Sequence, residues 1–275
     1  MDKIRLIVMD LDGTLLNREG RVSDENREAL LWAQQKGVRI AACSGRYAEN
    51  VSLVFMDSGL SGPVIGSNGA QMMDAPMGRT CWRHFIAPED GKLVRESLDK
   101  MGLEYFIFAD RMVVTSNPAA RHHSELSMGE RITALSEVRF GHGREAVDEA
   151  VDRGVFKFYV CDNGQLPRVR EALQALPGIN LTQSFPWNLE IMARGVDKGR
   201  GLSELAEHLG LPLSQVMAFG DQENDLPMLL KAGVGVAMGN AEEEAARKAA
   251  FHTLSNQENG VAFFVRKVIG EQYGG

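Results

Sequence analysis

Short apolar runs alternate with amphipathic stretches near the start of the chain. Residues 4–9 form an apolar run that stops at two aspartates and a glycine, which is typical of a buried parallel strand followed by a tight loop. A helix is predicted to begin after Ser23, a good N-cap residue, and to end near Lys36, because Gly37 can terminate it. Two further strands are predicted at residues 38–42 and 63–66.

The last third of the chain repeats this alternation. Apolar strands are predicted at residues 215–219 and 234–238, and a helix is predicted at 226–231, with Pro227 in its first turn. A second helix, rich in alanine and glutamate, follows. Strands that alternate with helices predict a parallel sheet.

The middle of the chain has a different character. Its predicted strands lie at residues 105–108, 111–115, 155–160, 179–182 and 188–192. Lys157, between two phenylalanines, indicates a sheet with one solvated face. We therefore expect an α/β protein in which residues 1–82 and 190–275 complete one Rossmann-like parallel-sheet core, with an α+β cap domain inserted over residues 83–189.

Composition narrows the range of partners. With 30 basic and 37 acidic residues the formal net charge is −7, and no run of lysine and arginine is present, which argues against nucleic acid as the main partner. An anionic substrate would need local positive groups or a metal, because the overall field repels it.

Three features of the chain bear on its location. No apolar stretch of about 18 residues is present, so a membrane span is not expected. The N-terminal apolar run is too short for the core of a signal peptide. Cys43, Cys81 and Cys161 are far apart in the sequence, which favours reduced thiols and a cytoplasmic location.

Two carboxylates, Asp10 and Asp12, lie where the first apolar run stops. In open α/β sheets, ligands bind beyond the carboxyl ends of the strands, which is where these acids are expected. Because like charges repel, we expect a positive group between them, and Mg²⁺ is the first candidate since it takes oxygen ligands. Taken alone, the segment also fits a simple turn at Asp12-Gly13 after a solvated Asp10.

Four short segments end apolar strands with polar residues that suit phosphate. They are residues 10–14, residues 44–46, Lys198 and residues 220–225. In this order and spacing, the chain resembles the haloacid dehalogenase-like phosphohydrolases, and among them the Cof-type branch. The resemblance covers nearly the whole chain. It is supported by residues 67–70, by Glu190-Ile191 before Lys198 and by residues 238–241.

The resemblance implies roles for three acids and one cation. Asp10 would be the nucleophile that forms an aspartyl-phosphate, and Asp12 would protonate the leaving group and then activate water. Mg²⁺ would be bound by the side chains of Asp10 and Asp221 and by the backbone carbonyl of Asp12.

The same resemblance implies which groups hold the phosphate. Ser44 and the backbone N–H groups near Leu11 and Gly45 would bind the phosphoryl oxygens. Lys198 would add a positive charge that stabilises the transition state. Asn224 would hydrogen-bond the phosphate or a ligand carboxylate, and both interpretations stay open.

These residues lead to one functional hypothesis. The chain is expected to be a Mg²⁺-dependent phosphatase of small phosphate monoesters, such as sugar phosphates or related metabolites, with the inserted domain setting specificity. A phosphomutase of the same family and a non-catalytic protein that binds phosphorylated metabolites are the alternatives. We expect a monomer or a small homo-oligomer.

Other polar residues allow more than one interpretation. Arg46 could contact phosphate or form a surface ion pair, and Glu223 could be an outer ligand of the metal or simply exposed. Asp225 is expected to cap a helix rather than to bind the metal directly. Residues 141–146 match a dinucleotide fingerprint but lack a clear strand–helix–strand frame, and we expect a loop there.

Histidines and tryptophans in the middle of the chain give weaker signals. His122 and His123 with Glu125 could bind zinc, although a solvated polar loop is favoured. Trp82 and Trp187 are expected in the core rather than as a platform on which bases stack.

Overall fold

The computed structural model describes residues 2–117, 130–161 and 164–274. The candidate zinc ligands His122, His123 and Glu125 lie outside these ranges. The strands, in chain order, are β1 (Leu6–Met9), β2 (Arg39–Cys43), β3 (Val64–Gly66), β4 (Gln71–Met73), β5 (Thr80–Arg83), β6 (Tyr105–Ala109), β7 (Met112–Thr115), β8 (Arg139–His142), β9 (Val155–Cys161), β10 (Ile179–Thr182), β11 (Asn188–Ala193), β12 (Val216–Gly220), β13 (Val234–Ala237) and β14 (Phe251–His252). The helices include α1 (Asp24–Gln35), α2 (Ala48–Asp57), α3 (Pro88–Lys100), α4 (Gly143–Arg153), α5 (Leu166–Leu173), α6 (Lys198–His208), α7 (Leu226–Lys231), α8 (Glu243–Lys248) and α9 (Gly260–Tyr273).

The chain divides into two compact units. The first contains Met1–Cys81 and Asp197–Gly275, and the second contains Trp82–Val196. The second unit extends past residue 189, where the sequence places its end, because β11 pairs antiparallel with β9 and β10. The predicted class, an α/β core with an inserted α+β unit, is confirmed.

The sheet of the first unit has the strand order β14-β13-β12-β1-β2-β3-β4-β5. β1 lies near its centre and runs parallel to β12 and β2, with Leu6 level with Val216 and with Arg39. The pairs β2–β3 and β12–β13 are also parallel, whereas β3 and β4 are antiparallel. Because the parallel strands are in register, the segments that follow β1, β2 and β12 leave the sheet at the same edge.

Apolar strands form the middle layer of the first unit. Every residue of β1 and β12 is buried, as expected for parallel strands that are covered on both faces. Ser23 caps α1 by accepting the N–H of Asn26 at 3.2 Å. Helices α1 and α9 pack together in the same core as β1 and β12, where the rings of Phe219 and Phe264 meet edge to face at 5.9 Å. This core holds β1 rigidly, and with it the residues that follow.

The second unit is built on a sheet of order β10-β11-β9-β6-β7-β8. Neighbouring strands are antiparallel except β7 and β8, which are parallel. Helices α3, α4 and α5 bury one apolar core with this sheet, including Leu98, Ile107, Val151, Phe158 and Val169. The unit therefore has its own hydrophobic core.

The predicted solvated sheet face at Lys157 is wrong. The side chain is 3% exposed, and its ammonium lies 2.9 Å from Oε1 of Glu190 on the neighbouring strand and 4.6 Å from the centre of the Phe108 ring. The alternation in the sequence indicates only that Lys157 faces away from its two phenylalanine neighbours. A buried carboxylate replaces water as its partner.

Trp187 is not a core residue, contrary to the prediction. It is 49% exposed and stacks on Phe185 with ring centres 4.9 Å apart. The turn that carries both rings is held by Oδ1 of Asn188, which accepts the N–H groups of Ser184 and Phe185. This local turn, which connects β10 to β11, presents the indole to solvent. Trp82 is half-buried.

The predicted loop at residues 141–146 is also wrong. β8 ends at His142, and α4 begins at Gly143. Gly143 has a φ of +78°, which lets the chain pass directly from strand to helix.

The sequence predicts reduced cysteines and no membrane-spanning segment. Cys43, Cys81 and Cys161 form no disulfide bond within the described ranges. Across the described ranges, no helix combines the length and the apolar character that crossing a membrane requires.

Removing one member of the buried pair of Lys157 and Glu190 should destabilise the protein. Glu190→Ala leaves the Lys157 ammonium buried without its carboxylate, and we expect the free energy of unfolding to fall by about 3–5 kcal/mol. The double variant Lys157→Met/Glu190→Leu should lose much less, since two apolar side chains can fill the same space. Urea unfolding followed by circular dichroism measures both changes.

The exposed pair of Glu149 and Arg153 provides the control for this prediction. Oε1 of Glu149 lies 2.9 Å from Nε of Arg153 and also pairs with Arg139, but these side chains are 39–55% exposed, so Glu149→Ala should leave the unfolding midpoint nearly unchanged. A Glu190→Ala protein as stable as this control would contradict the importance of the buried pair.

Candidate active site

Asp10 is the first residue after β1, and the chain then turns tightly over Leu11–Leu15. The N–H of Asp10 donates to the carbonyl of Phe219 on β12 at 3.0 Å, which fixes Asp10 at the edge of the sheet. Its side chain is buried, and Oδ1 lies 2.7 Å from Nζ of Lys198. Asp10 is therefore not the solvated strand end that a simple turn would give.

The ammonium group of Lys198 lies between two buried carboxylates. Lys198 begins α6 directly after Asp197, whose side chain caps the helix by accepting the N–H of Arg200 at 2.7 Å. Its Nζ is 2.7 Å from Oδ1 of Asp10 and 2.6 Å from Oδ1 of Asp225. Burial acts to lower the pKa of Lys198, but the two carboxylates outweigh it and raise the pKa above its ordinary value. Lys198 thus carries a fixed positive charge beside the end of β1.

Asp221 follows β12 and lies beside the turn after β1. Its Oδ1 accepts the hydroxyl of Thr14 at 2.8 Å, and its Oδ2 accepts the side-chain N–H of Gln222 at 3.2 Å. Burial, and after it the charge of Asp225, raise the pKa of Asp221 to about 7, although these two hydrogen bonds oppose the shift. Neighbouring positive charge would favour its ionised form.

Asp10, Asp221 and Asp225 form one carboxylate cluster. One oxygen of each lies within 4.8 Å of the others, which is close enough for a shared metal ion. Both oxygens of Asp225 are already engaged, Oδ1 by Lys198 and Oδ2 by the backbone N–H groups of Asp221 and Gln222 at 2.9 and 3.0 Å. Burial raises the pKa of Asp10, against the effect of Lys198, and the neighbouring carboxylates raise it further. The oxygens of Asp221 accept neutral side-chain donors, such as those of Thr14 and Gln222, so Asp10 and Asp221 fit a hard divalent cation better than Asp225 does.

Asp12 forms a two-point ion pair with Arg46. Its Oδ2 accepts Nε–H at 2.7 Å, and its Oδ1 accepts Nη2–H at 2.6 Å. The Arg46 side chain is 28% exposed and that of Asp12 is 35% exposed. Of the two interpretations of Arg46, the structure has the ion pair, and its partner is a predicted site residue. The planar guanidinium fixes the orientation of the carboxylate.

Ser44 lies at the end of β2 with its backbone held on both sides. Its N–H donates to a carbonyl of β3 at 2.9 Å, and its own carbonyl accepts the N–H of Asn68 at 3.0 Å. Its Oγ is buried and accepts the N–H of Arg46 at 3.2 Å. Leu11 and Gly45 occupy the turns that follow the adjacent strands β1 and β2. A hydroxyl and two turns with backbone N–H groups therefore share one edge of the sheet.

Asn224 lies in the short turn Glu223–Asp225 that precedes α7. Its Nδ2 donates to Oδ1 of Asn68 at 3.1 Å, and both side chains are buried. Within the part of the chain that the structure describes, Oδ1 of Asn224 has no hydrogen-bond partner. Glu223 is half-buried and is not a member of the carboxylate cluster found among the described residues.

Gly13, Thr14 and Asn240 contact the site but are absent from the predicted set. The hydroxyl of Thr14 binds Asp221, and Nδ2 of Asn240 donates to the carbonyl of Gly13 at 2.8 Å. A Cβ on Gly13 would lie 2.2 Å from Oδ2 of Asp221, so only glycine fits there. All three residues lie in polar segments that follow strands, and this much is visible in the sequence. The spacing of residues does not reveal which groups they contact.

The chain matches a family model and named proteins over almost its whole length. The model of haloacid dehalogenase-like hydrolases matches residues 7–265. The chain is 31% identical to the 5-amino-6-(5-phospho-D-ribitylamino)uracil phosphatase YwtE of Bacillus subtilis (strain 168), with 98% of this chain and 100% of the relative covered. It is 30% identical to the phosphatase YwpJ of the same organism, with 97% and 100% covered.

Solved structures share the fold. A haloacid dehalogenase-like hydrolase from B. subtilis superposes with a TM-score of 0.82 at 30% identity, covering 96% of this chain and 99% of that chain. A sugar phosphatase of haloacid dehalogenase subclass IIB superposes with a TM-score of 0.80 at 26% identity, covering 97% and 99%.

Adding a methyl group at Gly13 should disturb Asp221. Gly13→Ala places Cβ against Oδ2 of Asp221 and also forces alanine to a φ of +79°. Gly20→Ala is the matched control, because Gly20 has a φ of +69° and nothing within 4 Å of an added Cβ. We expect the control to lose about 1–2 kcal/mol of unfolding free energy from the backbone alone, and Gly13→Ala to lose more.

Cation binding separates the two glycine variants further. Magnesium should raise the thermal unfolding midpoint of the parent protein and of Gly20→Ala, and it should have little effect on Gly13→Ala. An equal magnesium-induced rise in both variants would contradict a role for the close approach of Gly13 and Asp221 in holding a cation.

Proposed function

Because the chain belongs to the haloacid dehalogenase-like hydrolase family and is a phosphatase of that family, we propose that it hydrolyses small phosphate monoesters with Mg²⁺ through an aspartyl-phosphate on Asp10. The observation that carries this proposal is the ammonium of Lys198 held 2.7 Å from Oδ1 of Asp10 at the edge of a parallel sheet. A buried carboxylate there is kept close to a positive charge that can also attract a phosphoryl group.

The first chemical step uses Asp10 and Asp12. A carboxylate oxygen of Asp10 attacks phosphorus and forms a P–O bond to the enzyme, while the bond between phosphorus and the ester oxygen breaks. Asp12, in its protonated form, gives its proton to the leaving alkoxide. Arg46 holds Asp12 at two points, so that the acid keeps one orientation when substrate arrives.

The second step reverses the role of Asp12. Its carboxylate takes a proton from water, the water oxygen attacks phosphorus, and the P–O bond to Asp10 breaks. Inorganic phosphate leaves, and the carboxylate of Asp10 is restored.

The residues present fit a magnesium ion. The side chains of Asp10 and Asp221, with the backbone carbonyl of Asp12, would hold it, and Thr14 keeps Asp221 in place. When bound, Mg²⁺ would offset the negative charge between the nucleophile and the phosphoryl group. The raised pKa of Asp221 supports this assignment, since a bound cation favours the ionised carboxylate.

The phosphoryl oxygens would bind to a hydroxyl and to backbone donors. Ser44 supplies the hydroxyl, and the turns at Leu11 and Gly45 supply N–H groups, as the family resemblance implies. Lys198 supplies charge, and Asn224 supplies one amide hydrogen. Asp225 would not touch the substrate, because its two oxygens hold Lys198 and the backbone of the Asp221 turn.

The substrate class is a small phosphorylated metabolite. Several relatives are named 5-amino-6-(5-phospho-D-ribitylamino)uracil phosphatases, and a solved relative is named a sugar phosphatase. Ribityl and sugar phosphates are therefore the first compounds to test. We assign the choice among them to the second unit, Trp82–Val196, acting as a cap domain. We place the reaction in the cytoplasm, since the widely spaced cysteines favour reduced thiols.

Asp10→Asn should abolish turnover without unfolding the protein. The amide of asparagine is not a nucleophile toward phosphorus, whereas its shape matches that of aspartate. Hydrolysis of p-nitrophenyl phosphate and of ribityl and sugar phosphates, followed as released inorganic phosphate, measures the effect. Addition of a chelator to the parent protein should stop the same reaction, and excess Mg²⁺ should restore it.

The outcomes of this assay separate the alternatives. Retained turnover in Asp10→Asn would refute the nucleophile. A parent protein that moves the phosphoryl group to another hydroxyl without releasing phosphate would be a phosphomutase. A parent protein that binds phosphorylated metabolites without any turnover would be a binding protein.

Asp12→Asn should slow hydrolysis by about 10²–10⁴-fold and should trap the phosphoenzyme. p-Nitrophenolate is a good leaving group that needs little protonation, so the first step should survive while the attack of water does not. Rapid mixing should then give a burst of p-nitrophenol close to one per enzyme. Asp24→Asn, at an exposed acid on α1, is the control and should turn over normally without a burst. Normal turnover in Asp12→Asn would contradict the assignment.

A further inference from the structure

Three consecutive residues after β3 have left-handed backbone conformations. Ser67 has a φ of +48°, Asn68 a φ of +53° and Gly69 a φ of +99°. Glycine adopts such angles readily, but serine and asparagine do so at a cost in conformational energy. Strained turns of this kind persist only where the surrounding structure holds them, and they are concentrated at functional sites.

The surroundings of this turn are the segments that carry the candidate phosphate-binding groups. The N–H of Ser67 donates to the carbonyl of Arg46 at 2.7 Å, and the N–H of Asn68 donates to the carbonyl of Ser44 at 3.0 Å. On the other side, a Cβ on Gly69 would lie 2.4 Å from the carbonyl oxygen of Asp197, the cap of α6. The turn is thus fixed between the segment after β2 and the start of the helix that begins with a lysine.

The side chain of Asn68 reaches a third segment. Its Oδ1 accepts Nδ2–H of Asn224 at 3.1 Å, and both residues are at least 95% buried. The amide of Asn224 has two hydrogens on nitrogen, so this bond uses one of them and leaves the other. Reversing the amide would put the carbonyl oxygens of the two asparagines against each other, which is unfavourable. The acceptor on Asn68 therefore selects one orientation of the Asn224 amide.

We propose that Asn68 is a positioning residue for phosphate binding, because the left-handed turn at residues 67–69 presents its carbonyl oxygen to Asn224. Held in this way, Asn224 offers its second N–H to a phosphoryl oxygen rather than a carbonyl oxygen that would repel it. The inference rests on the proposed function, in which Asn224 contacts the phosphate, and it assigns a role to a segment that the proposed mechanism does not use.

The test exploits the difference between backbone and side-chain effects. Asn68→Gly removes the amide but suits the left-handed backbone, so the unfolding midpoint should fall only by about the cost of one lost buried hydrogen bond, and the protein should stay folded. The inhibition constant of inorganic phosphate, measured as a competitive product inhibitor, should rise about three- to tenfold, as expected for one lost hydrogen bond. The KM for p-nitrophenyl phosphate should rise with it, and kcat should change less.

The chain offers a closely matched control. Asn259 has a φ of +59° and a ψ of +42°, against +53° and +40° for Asn68, and it precedes α9. Asn259→Gly changes the same residue type at the same backbone conformation. It should leave the inhibition constant of phosphate unchanged. If both glycine variants raised that constant equally, the effect would come from backbone freedom, and the proposal would be wrong.

A double-mutant cycle tests whether Asn68 acts through Asn224. Asn224→Ala should weaken phosphate binding, and adding Asn68→Gly to it should weaken binding no further. Independent, multiplying effects would overturn the proposal. So would an unchanged inhibition constant in Asn68→Gly alone.

Calorimetric titration of inorganic phosphate in Mg²⁺ separates this inference from the proposed function. A parent protein that neither binds phosphate nor hydrolyses esters would refute the proposed function, and the inference with it. A parent protein that hydrolyses esters and binds phosphate, with an Asn68→Gly variant that binds it equally well, would refute the inference alone.

Discussion

The structure of the site depends on one buried positive charge. The ammonium of Lys198 lies within 2.7 Å of the carboxylates of both Asp10 and Asp225, and all three side chains are almost fully removed from solvent. Asp10, Asp221 and Asp225 are three carboxylates buried near one another. This arrangement is unfavourable without compensation, because each carboxylate loses hydration and repels the others. Lys198 supplies part of that compensation, and the hydrogen bonds to Asp225 and Asp221 supply more. The raised pKa values of Asp10 and Asp221 indicate that the compensation is incomplete, which is the physical reason a divalent cation suits the cluster.

The parallel sheet is what brings these charges together. β1 pairs with β2 on one side and with β12 on the other, so Asp10, Ser44 and Asp221 leave the sheet at one edge although more than 200 residues separate the first from the last. Two glycines then allow neighbouring segments to approach more closely than a residue with a Cβ would permit. Gly13 leaves room for Asp221, and Gly69 leaves room for the backbone before Lys198. The absence of a side chain is essential at both positions, since a methyl group at either one would push a charged segment away.

The two units use buried charge differently. In the first unit the buried lysine faces two carboxylates, and the cluster has acidic groups in excess, which favours a bound cation. In the second unit Lys157 pairs with Glu190 between strands and lies near aromatic rings, so the charges there are balanced. A balanced pair specifies how two strands fit together, whereas an excess of one charge favours binding of a ligand that carries the opposite charge. This contrast supports placing the chemistry in the first unit.

The sequence by itself determined the α/β class, the inserted α+β unit, most strand positions and the segments that carry charged residues, because these depend on local periodicity and on polar residues at strand ends. It also singled out Asp10, Lys198 and Asp221. Only the tertiary structure decided the partners: that Arg46 holds Asp12, that Asp225 binds Lys198, that Thr14 binds Asp221, and that Lys157 is buried rather than solvated. Those contacts join residues far apart in the chain, and the spacing of residues along one sequence contains no information on which distant group will fill a given hydrogen-bonding site.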